Sequence, residues 1–257
     1  MTADDQQHPA ERPTPAIILG IPGRWKDRTK LVEDIATKSA GYVFAGGVML
    51  HVPTQQGFQV DVGPHDPRII EAFKLIGQKT LTRQDYKNIE RHTFMLYLTA
   101  PGGSIAAARQ VMAAGAGLLN AGGDALKVET TGVVHRAKQW HKLATDPDNA
   151  ALFRAFVTLV GDGQGTVYTV GMQNLGFPDG IISDVSVPEA AQLLQGLALY
   201  QLLSDSPLAP GHHFGLTPET TQYVLHLQAS IHAADDPFYH NPFGMWRLAA
   251  PEDGPEP

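Results

Sequence analysis

The sequence predicts an α+β fold: a single domain over residues 15–250, with a mixed or antiparallel sheet and helices packed on it. Strand-like and helix-like stretches interleave along the chain. Hydrophobic residues make up 43% of 257 positions, enough to bury a real core. Residues 16–62 and 94–129 also share a strand–helix–strand plan, compatible with a duplicated unit.

Ala16–Ile21 (AIILGI) reads as a short apolar strand and Trp25–Ser39 as a helix with Leu31, Val32 and Ile35 on one face. Tyr42–His51 is strand-like, with Gly46–Gly47 marking a bulge or close approach. Phe58–Val62 alternates as a strand, Pro67–Ile76 is helical with proline in its first turn, and Thr82–Ile89 is another short helix. Thr93–Thr99 is a strand, followed by a helix over Ile105–Leu119 that Ser104 caps. Ala125–Glu129 reads as a strand and Val133–Leu143 as a helix. Phe153–Val160 and Thr166–Gly171 flank GDGQG (Gly161–Gly165), a hairpin signal. Pro188–Leu203 is an amphipathic helix, Tyr223–Ile231 alternates as a strand with Leu225 and Leu227 facing one way, and Gly244–Leu248 closes the sheet. Residues 1–14 and 251–257, polar and proline-rich, are expected to be disordered tails.

The formal charge of −7 argues against a phosphate-backbone binder, which needs a basic face, and suits a basic protein partner. With no cysteine, disulfides, thiolate metal sites and cysteine nucleophiles are excluded. The N-terminal stretch lacks the charged and apolar regions of a signal peptide, and no apolar run reaches the ~20 residues of a membrane helix. A cytoplasmic protein is expected, with no nucleic-acid or membrane partner.

Glu90-Arg91-His92 entering an apolar strand, YTVGMQNLGFPDGIISD (Tyr168–Asp184) and YHNPFGMWRL (Tyr239–Leu248) resemble the bacterial family called domain of unknown function 4261, over roughly residues 80–250. The resemblance implies no established chemistry, and no catalytic residue is carried over from it. It implies an association with bacterial secretion and toxin–immunity gene neighbourhoods.

APGGSIAAA (Ala100–Ala108) is similar to the strand–Pro-Gly-Gly-Ser–helix segment of Clp-type serine proteases. That resemblance implies oxyanion-hole positions at Gly102 and Gly103. The family's nucleophile segment has no match here; the corresponding stretch, Ala125–Lys138, offers Thr130, Thr131 and His135 but no serine. A tight turn capped by Ser104 is the plainer reading.

Eleven histidines invite a metal site, yet His212 and His213 are adjacent and would face opposite sides of a strand. On a helix, His135 and His141 stand about 120° off a shared face, and His226 and His232 sit roughly 20 Å apart on a strand. No metal and no cofactor is expected. His92 admits a proton-transfer role, but a corner histidine bonding a backbone carbonyl fits better. Asp179, after Gly176-Phe177-Pro178, reads either as a recognition carboxylate or as a turn residue bonding its own loop.

DDPFYHNPFGMWRL (Asp235–Leu248) crowds aromatic residues beside two carboxylates. It reads either as a lid on the core or as a partner-binding surface, with Asp235, Asp236, Tyr239 and Trp246 as the contact residues. The function expected from all this is non-enzymatic protein binding. Its concrete form is an immunity protein that neutralises a secreted antibacterial toxin of the type VI secretion kind, encoded nearby, by occluding its active site. The alternatives are a hydrolase using the Gly102/Gly103 loop with Ser104 and His135, and an accessory protein of a secretion apparatus.

Overall fold

The computed structural model describes residues 14–77, 80–236 and 238–251. The expected tails over 1–13 and 252–257 lie outside the described residues.

From β1 (Ala16–Gly23) the chain runs through α1 (Arg28–Lys38) into β2 (Tyr42–Ala45), β3 (Val48–His51) and β4 (Gln56–Pro64). Asp27 starts α1 by accepting from the Lys30 N–H at 2.8 Å. Leu31 and Ile35 are buried, but Val32 is 37% exposed, so the apolar face is narrower than expected. The stretch expected as one strand over Tyr42–His51 is instead a hairpin. Gly46 and Gly47, at φ 57° and 82°, form its two-residue turn, where side chains would be strained.

α2 (Ile69–Gly77) and α3 (Arg83–Glu90) follow, the second opened by a reciprocal capping box between Thr82 and Asp85. β5 (Phe94–Pro101) leads to α4 (Ile105–Asn120), whose N-cap is Ser104, accepting from the Ala107 N–H at 3.1 Å. Next come β6 (Ala125–Val128), β7 (Val134–Arg136), α5 (Ala137–Ala144) and α6 (Asn149–Phe156). Two expectations fail here. The helix expected from Val133 begins only at Ala137, because Leu126 and His135 pair across β6 and β7. The strand expected from Phe153 is helical as far as Phe156, because Asp148 caps α6 through the Ala151 N–H.

The last part holds β8 (Thr158–Gly161), β9 (Thr166–Val170), a 3₁₀ turn (Met172–Leu175), β10 (Asp179–Ser183), α7 (Val187–Leu203), β11 (His213–Phe214), β12 (Tyr223–Gln228) and β13 (Met245–Ala249). The strands form two sheets. The first, ordered β2-β3-β4-β5-β1-β6-β7, is antiparallel throughout. The second, ordered β11-β12-β13-β10-β9-β8, is antiparallel except where β10 and β13 run parallel. β13 therefore does not close a sheet edge; it fills the middle.

β1 and β5 pair over their full length and put Ile17, Leu19, Ile21, Leu96 and Leu98 on one face. α4 covers that face with Ala108, Val111, Met112 and Leu118. The same core continues into Met172, Leu175 and the α7 residues Ala198 and Leu202. A second cluster lies between α7 and the second sheet, around Ile182, Leu194, Leu225, Trp246 and Leu248. A third, with Ile69, Phe73, Ile89 and Met95, lies under α2 and α3 on the opposite face of the first sheet. Among the described residues no helix is long and apolar enough to cross a membrane.

Candidate functional site

The segment singled out near the C-terminal end is held from below by one buried carboxylate. Asp179 opens β10 at 2% exposure. Its Oδ2 accepts from Asn241 Nδ2 at 2.7 Å, and its Oδ1 from Thr169 Oγ1 at 2.9 Å and the Met172 N–H at 3.2 Å. Burial pushes this carboxyl up to about 7, against the three hydrogen bonds that favour its charged form. The expectation of a turn residue holds only for the Met172 bond; the other donors come from β9 and from beyond β12.

Asn241 fixes the segment's path in turn. Its Nδ2 also donates to Phe177 O at 3.0 Å, and its Oδ1 accepts from the Phe243 N–H at 2.9 Å. Gln173, in the 3₁₀ turn, donates to Phe238 O at 3.3 Å. Asp236 accepts from the Phe238 and Tyr239 N–H groups, both at 2.9 Å, which hold its carboxyl below the usual range. The Tyr239 ring packs on His232, which packs on Tyr168.

Two concavities flank this segment and share Pro242. The larger, about 690 Å³, is walled by Phe177, Pro178, Leu227, Phe243 and the edge of Trp246, with Asp205 on its lining. The smaller, about 240 Å³, has Thr130 and Gln173 with Asp236, Phe238 and His240. Leu227, Ile231, Phe238 and Tyr239 are 48%, 49%, 40% and 40% exposed.

Of the four expected contact residues, Asp235 and Tyr239 are exposed and Asp236 is half-buried as a turn carboxylate. Trp246 is placed differently from the other three. It is 4% exposed, belongs to the α7 core and donates to Gln201 Oε1 at 3.2 Å, so it shapes the cleft wall rather than standing out as an anchor. Leu227 shares the face of β12 that carries Leu225, but it is 48% exposed and lines the larger cleft.

The hydrolase loop is differently placed from its expectation. The Gly102 N–H donates to Pro15 O at 2.7 Å and the Gly103 N–H to Asn174 O at 3.1 Å, so both oxyanion donors are already spent. His135 is buried on β7 and Nε2 donates to Ala155 O at 3.0 Å; burial lowers its pKa to about 4 despite that bond. Ser104 caps its own helix. His92 is the carbonyl-bonding corner residue: Nδ1 donates to Ile89 O at 2.7 Å, and Nε2 accepts from the Asp66 N–H at 3.1 Å. That second bond requires an unprotonated Nε2, and burial lowers its pKa accordingly. Among the described residues no group of three or more His, Asp or Glu side chains is placed to hold a metal ion.

The role of Asn241 was missed from sequence, since an Asn between His and Pro looks like loop punctuation. No family model, curated protein or solved structure matches this chain, and the site is read from its own chemistry.

Proposed function

We propose that this protein binds another protein, and that residues 235–246 with the flanking clefts form its docking surface. One observation carries the reading: Leu227, Phe238 and Tyr239 are 40–48% exposed, Leu227 on the larger cleft with its aromatic and proline wall and Phe238 on the smaller one. Such a surface gains free energy when a partner removes it from water, and its aromatic members are the residue types that dominate interface energetics. The exposed Asp235, the Asp205 of the cleft and the net charge of −7 suit a basic partner. The rigid seating of the segment on Asp179 and Asn241 supports the same reading, because a pre-ordered surface loses little entropy on binding. The narrower form of the proposal is an immunity protein acting in the cytoplasm, covering the active site of a secreted antibacterial toxin.

The test is affinity purification with the tagged full chain from its native bacterium, alongside a Phe238→Ser/Tyr239→Ser double variant. One basic protein should bind the wild type and bind the variant at least ~10-fold more weakly, and Asp235→Lys should slow its association. No specific partner, or one that holds the double variant equally well, would overturn the docking surface. The narrower form fails if that partner is not toxic to cells lacking this protein.

A further inference from the structure

A second polar site lies on the face of the first sheet that α4 does not cover. It is a cleft of about 300 Å³ between the sheet and α2. Its sheet wall is a cross-strand row. Tyr97 on β5 and Lys127 on β6 both pair with Gly20 on β1, one from each side. Glu129, two residues beyond Lys127, leans back over the glycine; a Cβ at Gly20 would lie 2.3 Å from Glu129 Oε1. The glycine thus makes room for a carboxylate on an otherwise packed sheet. Lys127 takes the other oxygen, Oε2, at 2.6 Å, with both side chains under 20% exposed, at 16% and 18%.

The opposite wall is the approach to α2 and its first turns. Asp66 and the exposed Arg68 form an ion pair at 2.8 Å at the cleft's rim, and Ile69 and Phe73 of α2 with Met95 of β5 supply its apolar surface. Asp66 is positioned by the His92 ring, which accepts its backbone N–H, and His65 Nδ1 donates to His92 O at 2.9 Å. Each wall carries one cation and one anion, so the cleft is formally neutral while holding charges of both signs. A ligand with a single charge would meet both signs on each wall and could satisfy only one of them. A ligand carrying both charges can offer its ammonium to the carboxylates of Glu129 and Asp66 and its carboxylate to Lys127 and Arg68. A volume of about 300 Å³ is at the small end of ligand pockets.

We infer that this cleft binds a small zwitterion, an α-amino acid with an apolar side chain that lies on Phe73, Ile69 and Met95. The mostly buried Lys127–Glu129 pair fits this use, because taking both charges out of water costs stability that an apolar pair of the same size would not.

The experiment titrates the full chain with each of the common amino acids to roughly 10 mM, a weak-affinity ceiling, by calorimetry and thermal shift. At least one apolar amino acid should bind saturably and raise the melting temperature. Its methyl ester and its N-acetyl derivative, each missing one charge, should bind ten-fold or more weakly. The charge-neutral Lys127→Met/Glu129→Gln variant should lose binding with its circular dichroism unchanged, and Arg68→Gln, at the exposed rim of the cleft, should weaken it several-fold, also with unchanged circular dichroism. Absence of saturable binding by every amino acid overturns the assignment. So does equal binding of the ester and acetyl forms, or undiminished binding by Arg68→Gln together with the double variant.

Discussion

Asn241 Nδ2 lies 2.7 Å from Asp179 Oδ2, joining two residues 62 positions apart where β10 begins and the path into β13 turns. No cation is paired with this carboxylate among the described residues, so hydrogen bonds alone offset its removal from water. Asn241→Leu removes one of the three donors and also frees Phe177 O. We expect a loss of about 2–4 kcal/mol by urea unfolding, the scale for stranding buried polar groups. A loss under ~0.5 kcal/mol would show that the segment does not depend on this bond.

Two buried groups give opposing pH dependences. His135 takes up a proton near 6.5 when unfolded but only near 4 in the fold, so the unfolded chain binds more protons in between and stability falls as pH drops through that window. This amounts to on the order of 3 kcal/mol at about 1.4 per pH unit. Asp179 titrates near 3.8 unfolded and about 7 folded, so the native state binds more protons there and stability falls as pH rises. His92, whose pKa burial also lowers, adds to the His135 direction. Removing His135 leaves the Asp179 direction less opposed, so between pH ~4 and ~6.5 His135→Leu should lose stability relative to the wild type as pH rises. Urea midpoints at both ends decide it, and an unchanged profile in the variant would refute the assignment.

Leu96 is fully buried at the centre of the first sheet, opposite Ile21 on one side and Val62 on the other. Leu96→Asp would bury a lone charge against α4, at a cost of several kcal/mol. The variant should be found in the insoluble fraction; a soluble variant with the wild-type melting temperature would contradict the packing.

Ser104 caps α4. Ser104→Ala should cost about 1 kcal/mol through the lost Ala107 N–H bond. A fluorophosphonate probe should leave Ser104 unlabelled in the wild type, because Gly102 and Gly103 have no free N–H to hold an oxyanion. Labelling that disappears in Ser104→Ala would restore the hydrolase reading.

Local signals were legible where a side chain bonds its own neighbourhood. Ser104 and Thr82 marked their helices, and the glycines over 161–165 marked the turn between β8 and β9. What escaped depends on distant partners. Val134 and His135 extend the amphipathic pattern of α5, and only the ladder to β6 makes them a strand. The packing of Trp246 on α7 was not legible, because its Gln201 partner lies more than forty residues earlier. The cleft of Tyr97, Lys127 and Glu129 was invisible because it exists only once β5 and β6 flank Gly20.

The central place of β13 has a consequence for how the chain is made. Strand pairing in the first sheet needs nothing beyond Arg136, so its ladder can close while later residues are still being synthesised. The second sheet cannot: until Met245–Ala249 emerges, β8-β9-β10 and β11-β12 are separate pieces, with β10 and β12 each showing an open edge. Bare edges of this kind recruit other strands, including those of neighbouring nascent chains. On a translating ribosome the hazardous interval for aggregation therefore falls late, between the appearance of β12 and the arrival of the one strand that joins the halves.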